Sequence, residues 1–274
     1  MTDAVSTGST SQNSFANAAL KGSAALWWLT AVASAWVFVY YLMAYYISPA
    51  LQGGLAAWTN TRLVTGYVSG DAIGNSVVAA HIFLAALVLS LGPFQLVPQI
   101  RAYIPAYHRM FGRIFIAAAV ATSFGGLYMT WVRGDPQAGV IEHIGTSTNA
   151  VLILIFAAMA LRYAMARDID THRRWALRLF MVVMAGSVFI RAGIGLWFLY
   201  RDMGGAGNFK AFSIFISYAH FLVPLAILEL YLRTQGRADD RGKFVMAVGL
   251  FLTTLIMGVG IYKAAMVMWL PRLS

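Results

Sequence analysis

The chain has 274 residues, of which 60% are hydrophobic and only 11% charged, against roughly 25% charged in a soluble domain. Its formal charge is +10, but the Lys and Arg residues sit at the ends of apolar runs rather than along one polar face, a membrane-topology pattern that argues against nucleic acid as a partner. There is no cysteine, so disulfides, thiolate metal sites, iron–sulfur clusters and thiol catalysis are excluded, and any cofactor must be held by His, Met, carboxylate or backbone groups.

Residues 1–22 are polar, small and rich in Ser, Thr and Asn, and read as a short disordered cytoplasmic tail. They lack the basic n-region and cleavage site of a signal peptide, so the first apolar run is expected to stay in the mature protein. Residues 23–274 form one transmembrane domain. Apolar periodic runs predict helices at 24–47, 73–98, 108–132, 141–166, 173–200, 211–233 and 244–269, each long enough to cross a bilayer. The stretch 48–72 carries Pro49, Gly53, Gly54, Asn60, Gly66 and Gly70 and reads as a loop with a short interfacial helix around Trp58. The remaining links are short, so consecutive helices should be antiparallel neighbours. The expected fold is an all-α, polytopic integral membrane bundle of about seven helices.

Two helical hairpins follow one plan. His81 leads into an apolar run, a turn, and His108-Arg109-Met110-Phe111-Gly112-Arg113. His143 leads into another run, a turn, and His172-Arg173-Arg174-Trp175-Ala176-Leu177-Arg178. This suggests a duplicated two-helix unit, a common device in membrane folds. Assigning alternate connections to opposite sides places thirteen basic residues on one side and seven on the other. The richer side is expected to be cytoplasmic, with the chain in a bacterial inner membrane. Trp58, Trp131, Trp197 and Trp269 fall at expected outer ends, where interfacial anchors belong.

The five histidines are distributed by depth. His81 and Pro98 are separated by about 25 Å of helix, and His143 and Arg162 by about 28 Å, at 1.5 Å per residue. His81 and His143 therefore share a height near the outer face, and His108 and His172 one near the inner face. A six-coordinate haem needs two neutral imidazoles from different helices at one depth, which helices two and four, and three and five, could supply. His220 lies about three turns into the sixth helix. It is open to reading as a further ligand, a proton-handling group at a quinone site, or a helix–helix hydrogen bond. Arg191 lies inside the fifth helix, where Arg usually faces a partner. A haem propionate, a quinone carbonyl or another anionic group would suit it, and snorkelling is the alternative. Arg109, Arg113, Arg173, Arg174 and Arg178 read as topology and anionic-lipid contacts or as partners of inner propionates. Gln95 beside Pro93 could shape a pocket near the inner pair. Glu229 is expected to pair with Arg233 four residues on.

The segment from Ala80-His81 through Gly92-Pro93-Phe94-Gln95, His108-Arg109-Met110-Phe111-Gly112-Arg113 and His172-Arg173-Arg174-Trp175 resembles a widespread bacterial family of predicted membrane proteins without assigned function, over roughly residues 75–235. The four-histidine layout is similar to the di-haem cytochrome b family of ascorbate-linked transmembrane reductases. That second resemblance implies two b-type haems, held by His81 with His143 and by His108 with His172. The function expected from this layout is a transmembrane oxidoreductase moving electrons across or within the membrane, with a quinone as a candidate partner. The alternatives are a non-redox bundle, acting as a small-molecule transporter or an accessory subunit of a larger complex or homo-oligomer, and a single-metal enzyme using His81, His143 and His220. The charge count generates a first test. A carboxyl-terminal reporter active only in the cytoplasm should be silent, whereas a strong signal would refute the helix count or the orientation.

Overall fold

The computed structural model describes residues 7–59, 66–134, 138–237 and 239–273, and among them there is no strand. Seven helices are long and apolar enough to cross a membrane: α1 (Phe15–Gly53), α2 (Ala72–Gln95), α3 (Pro105–Arg133), α4 (Val140–Met165), α5 (Ile169–Asp202), α6 (Phe209–Gly236) and α7 (Asp240–Arg272). Their boundaries match the apolar runs because, in hydrocarbon, a backbone must satisfy its own hydrogen bonds and only a helix does so within one segment. Large apolar side chains such as Leu29, Ile73, Phe215 and Leu252 stay exposed, as a lipid-facing surface requires. The chain is a multi-pass membrane protein.

Helix ends are set by local chemistry. Asp71 caps α2 by accepting from the Gly74 backbone N–H at 2.8 Å, and Asp239 caps α7 through Gly242 at 2.8 Å. Asp168 accepts from the Thr171 N–H at 3.1 Å. Hydrogen bonds from Thr171 hold its carboxyl below the usual carboxylate range. Pro105 opens α3 at a first-turn position, where its missing N–H costs nothing. Between α4 and α5 the chain reverses through Ala166, Arg167 and Asp168, with Arg167 in the left-handed region at φ 59°.

The helix is continuous from Thr7 to Leu42, so residues 7–22 are not the disordered tail expected of their polarity. Ala16 and Leu20 are buried and Phe15 stacks on Phe244 of α7 with centroids 6.3 Å apart. Packing on α7 supplies what composition alone does not. Residues 1–6 lie outside the described residues. The expected short helix near Trp58 is present as a single turn, Leu55–Trp58, after a helical turn at Ser48–Gly53.

α2 packs on α3, α3 on α4 and α4 on α5, while α7 fills the space between α1 and α5 and α1 closes onto α2. α5 is the central helix, with 61% of its most apolar window buried against 22% for α3. Two apolar cores meet on α2 and α5. The larger joins α1, α2, α5, α6 and α7. The smaller is built from Val88, Phe115, Ala118, Ala119, Ala157, Leu179 and Val182 at mid-depth of the four-helix unit α2–α5. Two expectations about side chains change here. Glu229 pairs with Arg178 of α5, Arg178 Nε and Nη2 donating to its two oxygens at 2.6 and 2.9 Å, rather than with Arg233. A bidentate fork across helices outcompetes a flexible pair on one helix surface. Trp58 and Trp269 are 1% and 2% exposed and are not lipid-facing anchors. They belong to an aromatic nest with Phe38, Tyr41 and Tyr46, and the Trp58 indole N–H donates to the Tyr46 carbonyl at 2.9 Å. Trp131 is 53% exposed, as an anchor should be.

The closest helix approach is between α5 and α7 at Gly195 and Gly260. A Cβ on Gly195 would overlap the Gly260 carbonyl, and one on Gly260 would overlap the Ala192 carbonyl. Neither obstacle is a flexible side chain, so the backbones would have to part. Gly249 on α7 has nothing within 4 Å of its Cβ position. Gly195→Ala and Gly260→Ala should each cost about 1–3 kcal/mol through overpacking, and Gly249→Ala should be neutral or stabilising by about 0.5–1 kcal/mol. Thermal unfolding in detergent measures all three, and equal melting temperatures would refute the close contact.

Candidate functional site

Four helices of the bundle each contain one five-residue π turn: Met43–Ile47 in α1, Met129–Arg133 in α3, Ala185–Phe189 in α5 and Ala265–Trp269 in α7. A π turn widens a helix and puts carbonyls out of register, and such turns are frequent at functional sites. Those of α1, α3 and α7 lie toward the end of the bundle opposite the basic one, and that of α5 lies at the middle of its helix. Each lines the same cavity: Tyr46 from the first, Met129 and Thr130 from the second, Gly186 and Ser187 from the third, Met268 and Trp269 from the fourth. The cavity measures about 630 Å³, within the roughly 300–1,000 Å³ of small-molecule and cofactor sites.

His81, His143 and Arg191 all line it, so three of the residues singled out in the sequence come together. The Thr122 carbonyl of α3 lies 3.0 Å from His81 Nδ1. A carbonyl can only accept, so Nδ1 carries the proton and Nε2 is left with a lone pair. The position of His81 is fixed from above by a tie between α2 and α3. Arg133 Nη2 donates to the Gly66 carbonyl at 3.0 Å and to Asn75 Oδ1 at 3.3 Å, and its Nε lies 3.6 Å from Asp71. His143 sits edge-on to Trp131, with ring centroids 5.5 Å apart, and its Nε2 is buried without a hydrogen-bond partner. Its neighbour Glu142 caps α4 through the Gly139 N–H and pairs with Lys210 of α6 at 2.5 Å.

Arg191 is held by carbonyls of its own helix. Thr122 lies fourteen residues after His108, and its carbonyl takes the His81 N–H. The residue fourteen after His172 is Gly186, and its carbonyl instead accepts from Arg191 Nη1 at 3.0 Å. The same nitrogen donates to the Ser187 carbonyl at 2.9 Å, and the guanidinium lies 3.8 Å from the Phe38 ring centroid. Among the described residues no carboxylate is within ion-pair reach of Arg191. Arg272 also lines the cavity and donates to the Tyr41 hydroxyl at 3.1 Å, again with no carboxylate partner among the described residues. Asn149 lines the wall with an unpartnered buried Oδ1. Arg191 and Arg272 thus face one space with Glu142, Asn149 and two imidazoles; an anionic group would pair with the two cations, whereas the Asn149 oxygen and the His81 Nε2 lone pair call for a donor or a Lewis acid.

The other expected site residues lie elsewhere. His108 and His172 are at the basic end. His172 Nδ1 donates to the Ala160 carbonyl at 2.8 Å, and His108 Nδ1 is buried and unpartnered. Neither lines this cavity or the 390 Å³ cavity in the basic half. Arg109, Arg113 and Arg174 are exposed, and Arg178 is committed to Glu229. Arg173 lines the basic-half cavity. Gln95 Nε2 is buried without a partner, close to Gly112, and lines neither cavity. His220 is 4% exposed and donates through Nδ1 to the Ile216 carbonyl of its own helix at 2.8 Å. It lines neither cavity, and its bond does not join helices. Among the described residues no three His, Asp or Glu side chains could hold one metal ion. The single-metal reading of His81, His143 and His220 is therefore set aside: His220 turns its protonated nitrogen to its own helix. Sequence reasoning missed Tyr46, Asn149, Trp269 and Arg272. Asn149 carried a signal, as a lone amide in an apolar run; the other three become visible only once the π turns aim them.

No curated protein matches the chain, and no solved structure does. A family model described as "Predicted membrane protein (DUF2306)" matches residues 78–232, which takes in α2–α5, most of α6 and every histidine discussed above. The chain belongs to this family of predicted membrane proteins.

Proposed function

We propose that this protein is a membrane electron carrier that holds a b-type haem in the cavity at its far end, with His81 and His143 as axial ligands. The observation that carries the reading is the pair of imidazoles, one each on α2 and α4, lining one cavity with Nε2 free of protein partners. A ligating His commonly donates its other N–H to a backbone carbonyl, which fixes tautomer and ring orientation, and His81 does this through Thr122. The charge of the lining supports the reading. Arg191 and Arg272 are unmatched cations suited to two propionates, and the aromatic nest of Phe38, Tyr46 and Trp269 supplies an apolar wall that limits water. A bound haem supplies one-electron chemistry, and the protein sets its potential through axial ligands, nearby charge and burial. Arg191 would favour the more electron-rich state, because a nearby cation offsets the added negative charge. The four-histidine layout brings in a second haem at His108 and His172. Neither cavity reaches that pair, so the proposal places one haem.

The second reading, a carrier of a small carboxylate, is favoured by the same two arginines. Colour separates the two. Protein purified from haem-replete cells should be red, with a Soret band and about one haem per chain. His81→Ala and His143→Ala should each abolish the band, and His220→Ala should keep it. Arg191→Met should lower the reduction potential by on the order of tens of millivolts. A colourless protein, or full haem in both His81 and His143 variants, would overturn the assignment and leave the carboxylate reading.

A further inference from the structure

The cavity in the basic half has a different character. It measures about 390 Å³ and lies between α1, the turn after α2, and α5, α6 and α7. Its walls are aliphatic and aromatic, with Leu177, Phe180, Leu228 and Leu250 among them. Of the four polar side chains in the lining, Trp28, Gln99, Arg173 and Tyr231, one has a buried atom without a partner. Trp28 lines the cavity, and its indole Nε1–H is buried with no hydrogen-bond partner. An indole nitrogen is a donor only, and a buried donor without an acceptor is costly, so the missing partner is an oxygen brought by a ligand. Arg173 also lines the cavity, exposed and without a carboxylate partner among the described residues. The Tyr231 hydroxyl accepts from Gln235 at 2.6 Å and keeps its own O–H to donate.

We infer that this cavity binds the head of an isoprenoid-type quinone, with a ring carbonyl accepting from Trp28. The polarity of the wall decides between the two amphiphiles a membrane offers. A phosphate headgroup carries a full charge and needs several converging donors, and burying it against leucines would strand that charge. A quinone ring is neutral and apolar on both faces, and one donor satisfies one carbonyl. Among the lining residues Trp28 supplies the one buried donor without a partner, beside aromatic rings and the Tyr231 hydroxyl, while Arg173 and Gln99 are exposed and need no buried counter-ion. The inference is independent of the haem, since binding is read without any redox step and at residues that do not line the far cavity.

The test uses the full-length protein in nanodiscs and decylubiquinone, a benzoquinone with a ten-carbon tail, titrated by calorimetry. Saturable binding is expected. Trp28→Phe, which keeps the ring and removes the N–H, should weaken it about tenfold. Met181→Trp, which fills the cavity from α5, should abolish it, and Leu255→Trp on the lipid face should leave it unchanged. Raising the phosphatidylglycerol content of the disc should not compete, and His81→Ala should bind normally whether or not the protein carries haem. Absence of saturable binding would overturn the inference. So would equal affinity in the wild-type, Trp28→Phe and Met181→Trp proteins, or displacement of the quinone by phosphatidylglycerol, which would assign the cavity to a lipid.

Discussion

A guanidinium in the middle of an apolar bundle is the constraint around which this protein is arranged. Arg191 sits on the most buried helix, beside small residues that let α5 and α7 approach closely. Moving an ionised group out of water is among the largest costs a membrane protein meets. Here the cost is offset by two carbonyls, Gly186 and Ser187, and by the face of Phe38. The carbonyls are within reach because Ala185–Phe189 is a π turn. The cation is thus held by dipoles and a ring rather than by a carboxylate, and it keeps its charge available to whatever enters the cavity.

The same logic connects the remaining parts of the site. Each odd-numbered helix has a π turn, near the far end in α1, α3 and α7 and at the middle of α5, and each turn brings a residue to the cavity wall. The α2 and α4 helices carry none; they bring the imidazoles. A mid-depth core around Phe115 separates this polar space from the basic half, where the second cavity is nearly all apolar. The bundle therefore holds two chemically distinct spaces at different depths. One sets two arginines, two imidazoles and a lysine-paired carboxylate into a largely apolar wall, and the other is more apolar, with one buried donor lacking a partner. Such a division suits a protein that passes electrons between a fixed cofactor and a mobile membrane carrier.

Much of this was legible from residues alone because membrane helices obey few rules. Hydropathy located six of the seven spans to within a few residues, since no alternative satisfies the backbone in hydrocarbon; the first, expected at 24–47, runs Phe15–Gly53 and takes in the start of the expected loop. A constant rise of 1.5 Å per residue put His81 and His143 at one height, and both line one cavity. Partner choice was not legible. Glu229 was expected to meet Arg233 because the sequence shows only neighbours on one helix, whereas Arg178 lies across a helix interface that no local spacing encodes. Trp58 was expected at the lipid interface because Trp favours that position, yet the loop folds it back under Tyr46. The first residues of α1 were expected to be disordered from their polarity, and packing on α7 orders them. The π turns left no sequence signature at all, and with them Tyr46, Trp269 and Arg272 stayed hidden from the site.

The account stands or falls on whether two imidazoles meet one iron in the far cavity. Electron paramagnetic resonance of the oxidised, purified protein addresses this directly, because axial ligation by two imidazoles gives low-spin ferric haem. The account predicts a low-spin signal in the wild-type protein that His143→Ala converts to high spin or removes. A protein without haem, or a low-spin signal that survives loss of both His81 and His143, would contradict it.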